Sequence, residues 1–142
     1  MIRFSNLLKI QKPINFKLYR SWLKKVIELE KHTIGEITYI LCNDNFLYKM
    51  NLDYLQHDTL TDVITFPVSQ RKNIVSGEIY ISIERVQENS TNEKIPFLNE
   101  LARVMVHGLL HLLGYNDYTL EEKKQIRRKE DYYLSLLPQK NF

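Results

Sequence analysis

The sequence predicts an α+β fold: one domain over residues 1–142, with a small mixed sheet of about four strands packed against a central apolar helix and flanking helices. Three observations lead there. A chain of 142 residues is one domain long, and a core of that size buries roughly two-thirds of the unfolded chain's surface. The composition, 44% hydrophobic and 26% charged, is globular, with no repeat, linker or low-complexity tract. Stretches of alternating apolar residues are interleaved with stretches of helical period.

Each element has its own signal. Ile2-Arg3-Phe4 alternates as a short strand. After Pro13, the apolar residues Tyr19, Trp22, Leu23, Val26, Ile27 and Leu29 recur at helical spacing, opposite Lys17, Arg20, Lys24, Lys25, Glu28 and Lys31. Gly35 leads into a β-rich run from Glu36 to Cys42. Asn43 or Asp44 offers an N-cap for a short helix through Phe46, Leu47, Met50 and Leu52. Residues 53–61 read as a loop. Val63 to Phe66 is a strand stopped by Pro67, and Glu78 to Ile83 alternates after Gly77, so the two form an antiparallel hairpin with a long connection.

The second half is helical. Residues 84–89 suit one or two helical turns. Pro96 opens the central helix, whose Leu98, Leu101, Ala102, Met105, Val106, Leu109, Leu110, Leu112 and Leu113 are apolar nearly all round, as in the middle of a domain. Gly114 is its stop. Thr119 with Glu122 forms a capping box for a last helix to about Leu137, ended by Pro138.

The net charge of +3 is mild, but it is unevenly spread. Residues 1–34 carry eight Lys/Arg against two Asp/Glu; residues 35–118 carry six against eleven; residues 119–142 carry six against four. Basic ends around an acidic middle permit a polyanionic partner, and they equally suit solvated helix faces. Cys42 is the single cysteine, which excludes a disulfide framework or a cysteine zinc site and fits a reducing cytoplasm. The first residues lack a signal-peptide apolar run, and no uncharged stretch is long enough to span a bilayer, so the expectation is a cytoplasmic protein without a membrane partner.

The chemistry concentrates in His107-Gly108-Leu109-Leu110-His111-Leu112-Leu113-Gly114-Tyr115-Asn116-Asp117. Histidines at i and i+4 project from one helix face, so both imidazoles reach a single metal ion. Gly114 lets the chain turn back, and Asp117 can bring a carboxylate to the same point. His107, His111 and Asp117 thus form a three-ligand set with one open position, the pattern of a catalytic zinc. Two core histidines bonded to backbone are the plain alternative, but burying both unpaired in the most apolar segment is costly. The spacing also matches helix-borne zinc peptidases, which need a glutamate after the first histidine. Gly108 stands there, so peptide hydrolysis by that route lacks its base.

This segment resembles the signature H-G-x-L-H-L-x-G-Y-D-H of the YbeY family of bacterial endoribonucleases. Met50-Asn51 with Tyr54, then Thr61 to Pro67, is similar to the family's LN…Y…TDVLSFP, and Gly77-Glu78-Ile79 stands where the family has G-D-I. The resemblance implies one zinc ion on His107, His111 and Asp117. It implies single-stranded ribosomal RNA as substrate, with the small ribosomal subunit and its assembly factors as partners. The implied activity is metal-dependent cleavage of phosphodiester bonds in small-subunit RNA 3′-end maturation and ribosome quality control.

Three departures bear on that expectation. Asp117 replaces the usual third histidine; the resulting His₂-carboxylate set also suits iron, so iron or nickel stands beside zinc. Asn116 replaces an aspartate. Leu55 replaces an arginine associated with RNA phosphate, whose role either is absent or passes to another residue, with His57 and the basic N-terminal helix as candidates. Asp62 has three roles open to it: holding a ligand imidazole, touching RNA, or closing its loop as a cap. The attacking oxygen, water or the RNA 2′-OH, and the oligomeric state are both open. Two other classes use the same triad: a metal-binding ribosome-assembly factor without turnover, and a small-molecule metallohydrolase.

Overall fold

The structure, a computed structural model, describes residues 1–7, 14–55, 61–68 and 71–138. Four strands, β1 (Ile2–Asn6), β2 (Thr33–Cys42), β3 (Val63–Pro67) and β4 (Ile74–Ser82), form one sheet in the order β1-β2-β4-β3. The pairs β1·β2 and β2·β4 are parallel. The expected hairpin is present: β3 runs antiparallel to β4, with Val63 opposite Ile81 and Thr65 opposite Ile79. Pro67 ends β3 on the sheet edge, where a missing N–H is tolerated.

Five helices complete the domain: α1 (Phe16–Leu29), α2 (Asp44–Leu55), α3 (Ile83–Glu93), α4 (Phe97–Leu112) and α5 (Leu120–Ser135). The alternation of β2 divides the sheet into two faces. Ile37, Tyr39 and Leu41 join Ile79 and Ile81 in a large core with α1, α4 and α5, whereas Cys42 and Ile64 meet Leu47 of α2 on the other face. The Tyr39 hydroxyl donates to the Met105 carbonyl at 2.9 Å, tying the sheet to α4; the Trp22 indole donates to the Tyr133 carbonyl at 2.8 Å, tying α1 to α5.

Boundaries differ from expectation where pairing or capping overrides local pattern. β2 begins at Thr33, ahead of Gly35, because its start pairs with Ile74 and Val75 across an irregularity in the register. α3 is longer than one or two turns: the Ser82 side chain caps its start, and only Val86 and Ser90 are buried along it. Leu29, placed on the apolar face of α1 by its spacing, is exposed. Asn43, rather than Asp44, caps α2, its carboxamide oxygen accepting from the Phe46 N–H at 2.8 Å.

α4 lies directly on the sheet. A Cβ at Gly108 would stand 2.7 Å from a methyl of Ile79 and 3.3 Å from one of Val63. The position that a zinc peptidase gives to glutamate is here the contact between helix and sheet. Gly114 has φ +107°, a left-handed value that glycine adopts without strain.

Candidate metal centre

The last turns of α4 and the loop after it bring His107, His111 and Asp117 together, as the spacing predicts. Their ligand atoms lie within 4.8 Å of one another, a cluster able to hold a metal ion. The two Nε2 atoms are 3.0 Å apart, and Asp117 Oδ2 lies 3.6 Å from His107 Nε2 and 3.4 Å from His111 Nε2. Ligands about 2.0–2.1 Å from a tetrahedral metal stand roughly 3.3 Å from each other, so the triangle has the size of a zinc face.

The outer nitrogens decide the tautomers. His107 Nδ1 faces Glu130 Oε2 at 2.7 Å, and His111 Nδ1 faces the Tyr115 carbonyl at 2.9 Å. A carboxylate and a carbonyl only accept, so both Nδ1 atoms carry hydrogen and both neutral rings turn an Nε2 lone pair to the same point. Two lone pairs and a carboxylate oxygen converging there repel unless a cation lies between them. That donor set fits a divalent transition metal.

Titration follows the same geometry. Burial disfavours a charged His107, but the hydrogen bond and charge of Glu130 outweigh it and raise the imidazole above its ordinary value. Burial and the neighbouring His107 lower His111. Without metal, the two neutral rings take up one added proton more readily than a second.

The sequence motifs do not point to Glu130. It is buried on α5 with Ile126 and Tyr133, while its other oxygen accepts from Arg103 Nη1 at 2.9 Å. Arg103 also reaches Asp131 at 2.9 Å. The available signal was an acid in phase with the apolar stripe of α5, since a buried charge must find a partner.

Asp62, open to an imidazole, an RNA or a loop-capping role, accepts from the Asn89 side chain at 3.3 Å, while its carbonyl accepts from the Ser82 N–H at 2.9 Å. Burial raises its carboxyl, against the pull of His107. His57 lies outside the described residues, as does the side chain of Leu55.

Two clefts meet at the centre, sharing Asp62, His107 and Asp117. One, of about 330 Å³, runs between α4 and α5 and is lined by Glu100, Arg103, Lys123, Arg127 and Glu130. The other, of about 400 Å³, opens toward α2 and β3 past Asn51, Thr61, Thr65 and the exposed Tyr118. Among the described residues no helix is long and apolar enough to cross a membrane.

A mixed sheet whose buried helix presents two imidazoles and a following carboxylate beside an open cleft offers a donor set able to hold a metal ion. The profile of the family Endoribonuclease YbeY matches residues 5–138, and the chain belongs to that family. It is 52% identical over 120 residues to an Endoribonuclease YbeY of Amoebophilus asiaticus, covering 84% of this chain and 82% of that protein. With an Endoribonuclease YbeY of Flavobacterium psychrophilum the identity is 51% over 118 residues, 83% of this chain and 84% of the other. The solution structure of TM1509 from Thermotoga maritima superposes with a TM-score of 0.68 at 28% identity, covering 96% of this chain and 89% of that one.

Proposed function

We propose that this chain is a metal-dependent endoribonuclease that cleaves single-stranded ribosomal RNA in the cytoplasm, in small-subunit 3′-end maturation and ribosome quality control, with zinc on His107, His111 and Asp117. The observation that carries this reading is the convergence of those three donors where two clefts meet, in a chain of this family. When bound, the metal supplies Lewis acidity toward a phosphoryl oxygen and acidifies water.

The chain's own residues supply the rest. Glu130 and the Tyr115 carbonyl hold the imidazoles in the tautomer that ligation needs. The exposed Lys123 and Arg127, lining the cleft beside His107, take the phosphate-contacting role that Leu55 cannot fill. Asp62, held by Asn89 at the junction of the clefts, accepts a hydrogen bond from a ribose hydroxyl. An open cleft on each side of the centre suits a strand that passes through and is cut internally.

The test is elemental analysis of the purified protein, with cleavage of a ribosomal RNA fragment by the wild type and His111→Ala. The expected result is stoichiometric zinc and cleavage in the wild type, and loss of both in the variant. Stoichiometric metal with no cleavage above the variant's background removes the nuclease reading and leaves a ribosome-assembly factor that binds metal.

A further inference from the structure

The metal ligands sit on α4 and its following loop, yet one arm of their support comes from the far end of α1. Glu30 follows the last residue of α1, and its side chain is only 10% exposed. One carboxylate oxygen accepts from the Tyr115 hydroxyl at 2.6 Å. The other accepts from Lys129 Nζ at 3.1 Å and from the Tyr133 hydroxyl. The Lys129 ammonium also lies over the Tyr115 ring, 5.8 Å from its centroid.

Tyr115 is held at both ends. Its hydroxyl is fixed by Glu30, its N–H donates to the Leu110 carbonyl at 3.0 Å, and its carbonyl receives His111 Nδ1–H at 2.9 Å. Asp117 is two residues further along the same turn. The Tyr133 contact of Glu30 only fastens α1 to α5, and Lys129, which also covers the Tyr115 ring, makes no bond to the turn's backbone. The Tyr115 contact alone leads to a ligand.

We infer that Glu30 is a positioning residue of the metal centre: through the Tyr115 hydroxyl it fixes the carbonyl that orients His111 and the turn that delivers Asp117. The inference rests on the reading of His107, His111 and Asp117 as metal ligands. Partners that orient a ligand imidazole typically change metal affinity roughly 10–100-fold when removed. A carboxylate that merely joined two helices would change stability without changing affinity.

The experiment measures zinc affinity by competition with a chromophoric chelator, and the thermal midpoint of the metal-free protein, on the full chain. The variants are Tyr115→Phe, Glu30→Ala, the double variant, Tyr133→Phe and His111→Ala. Tyr115→Phe and Glu30→Ala are expected to weaken zinc binding about 10-fold or more, with the double variant no weaker than Glu30→Ala alone. Tyr133→Phe is expected to lower the midpoint while leaving zinc affinity within about twofold of the wild type. Wild-type affinity in Tyr115→Phe overturns the inference, and this variant carries the test even if Glu30→Ala does not fold. His111→Ala separates the two levels: if it binds zinc as the wild type does, the metal-ligand reading falls, and the positioning role falls with it.

Discussion

Glu130 on α5 and His107 on α4 meet at 2.7 Å, carboxylate to Nδ1, although 22 residues separate the two in sequence. The contact welds the last helix to the metal centre. Because Glu130 also takes the guanidinium of the half-buried Arg103, its removal leaves that cation with Asp131 as its remaining carboxylate partner and leaves an imidazole unheld. Glu130→Ala is expected to lose about 1–3 kcal/mol of stability in urea denaturation and to bind zinc at least tenfold more weakly in chelator competition.

Gly108 sets the distance between α4 and the sheet. Alanine there gains up to about 1 kcal/mol of helix propensity. Its Cβ, however, would stand 2.7 Å from Ile79, a fully buried β-branched residue that cannot swing aside. Overpacking of that kind costs about 1–3 kcal/mol and prevails. Gly108→Ala is therefore expected to be less stable by about 1 kcal/mol in urea titration, and Gly108→Glu not to fold.

Asp44 provides a pH-dependent contribution far from the centre. Its carboxylate accepts from Arg85 Nη2 at 2.8 Å and from the Ser82 hydroxyl. Burial raises the carboxyl, but the bonds from Arg85 and Ser82 outweigh burial and hold it below the ordinary carboxylate range. With the folded value below the unfolded one of about 3.9, the contribution is full above that pH and is lost as pH falls through the folded value. Asp44→Asn is expected to cost about 1–2 kcal/mol near neutrality, and the gap from wild type to close below about pH 4 in urea titrations run from pH 7 to pH 3.

Lys123 and Arg127 line the cleft beside His107. If each neutralises one phosphate, the salt dependence of RNA binding carries their signature, at a slope of about 0.7 per contact on single strands. The double variant Lys123→Ala/Arg127→Ala is expected to bind a single-stranded RNA more weakly and to flatten the plot of log K against log salt by about 1.4. An unchanged slope in filter-binding titrations would place the strand elsewhere.

What the sequence made legible depended on how locally each feature is encoded. His107, His111 and Asp117 lie within eleven consecutive residues, so helix geometry and one glycine turn suffice to bring them together. The hairpin of β3 and β4 is likewise announced by the strand patterns that end at Pro67 and resume after Gly77. Glu130 and Glu30 are different: each reaches the centre only after separate helices have packed, and a single acid carries no record of its partner. α3 was underestimated because burying Val86 and Ser90 leaves its sequence polar, with its capping by Ser82 as the main cue.

The unequal cores on the two faces of the sheet have a mechanical consequence. Behind the sheet, the buried cluster among the described residues is Cys42, Leu47 and Ile64, whereas the front core fixes α4 from several sides. Asn51 of α2 nonetheless forms part of the wall of the cleft at the metal centre. One wall of that cleft thus rests on the smaller cluster, while the helix that carries His107 and His111 is set in the larger one.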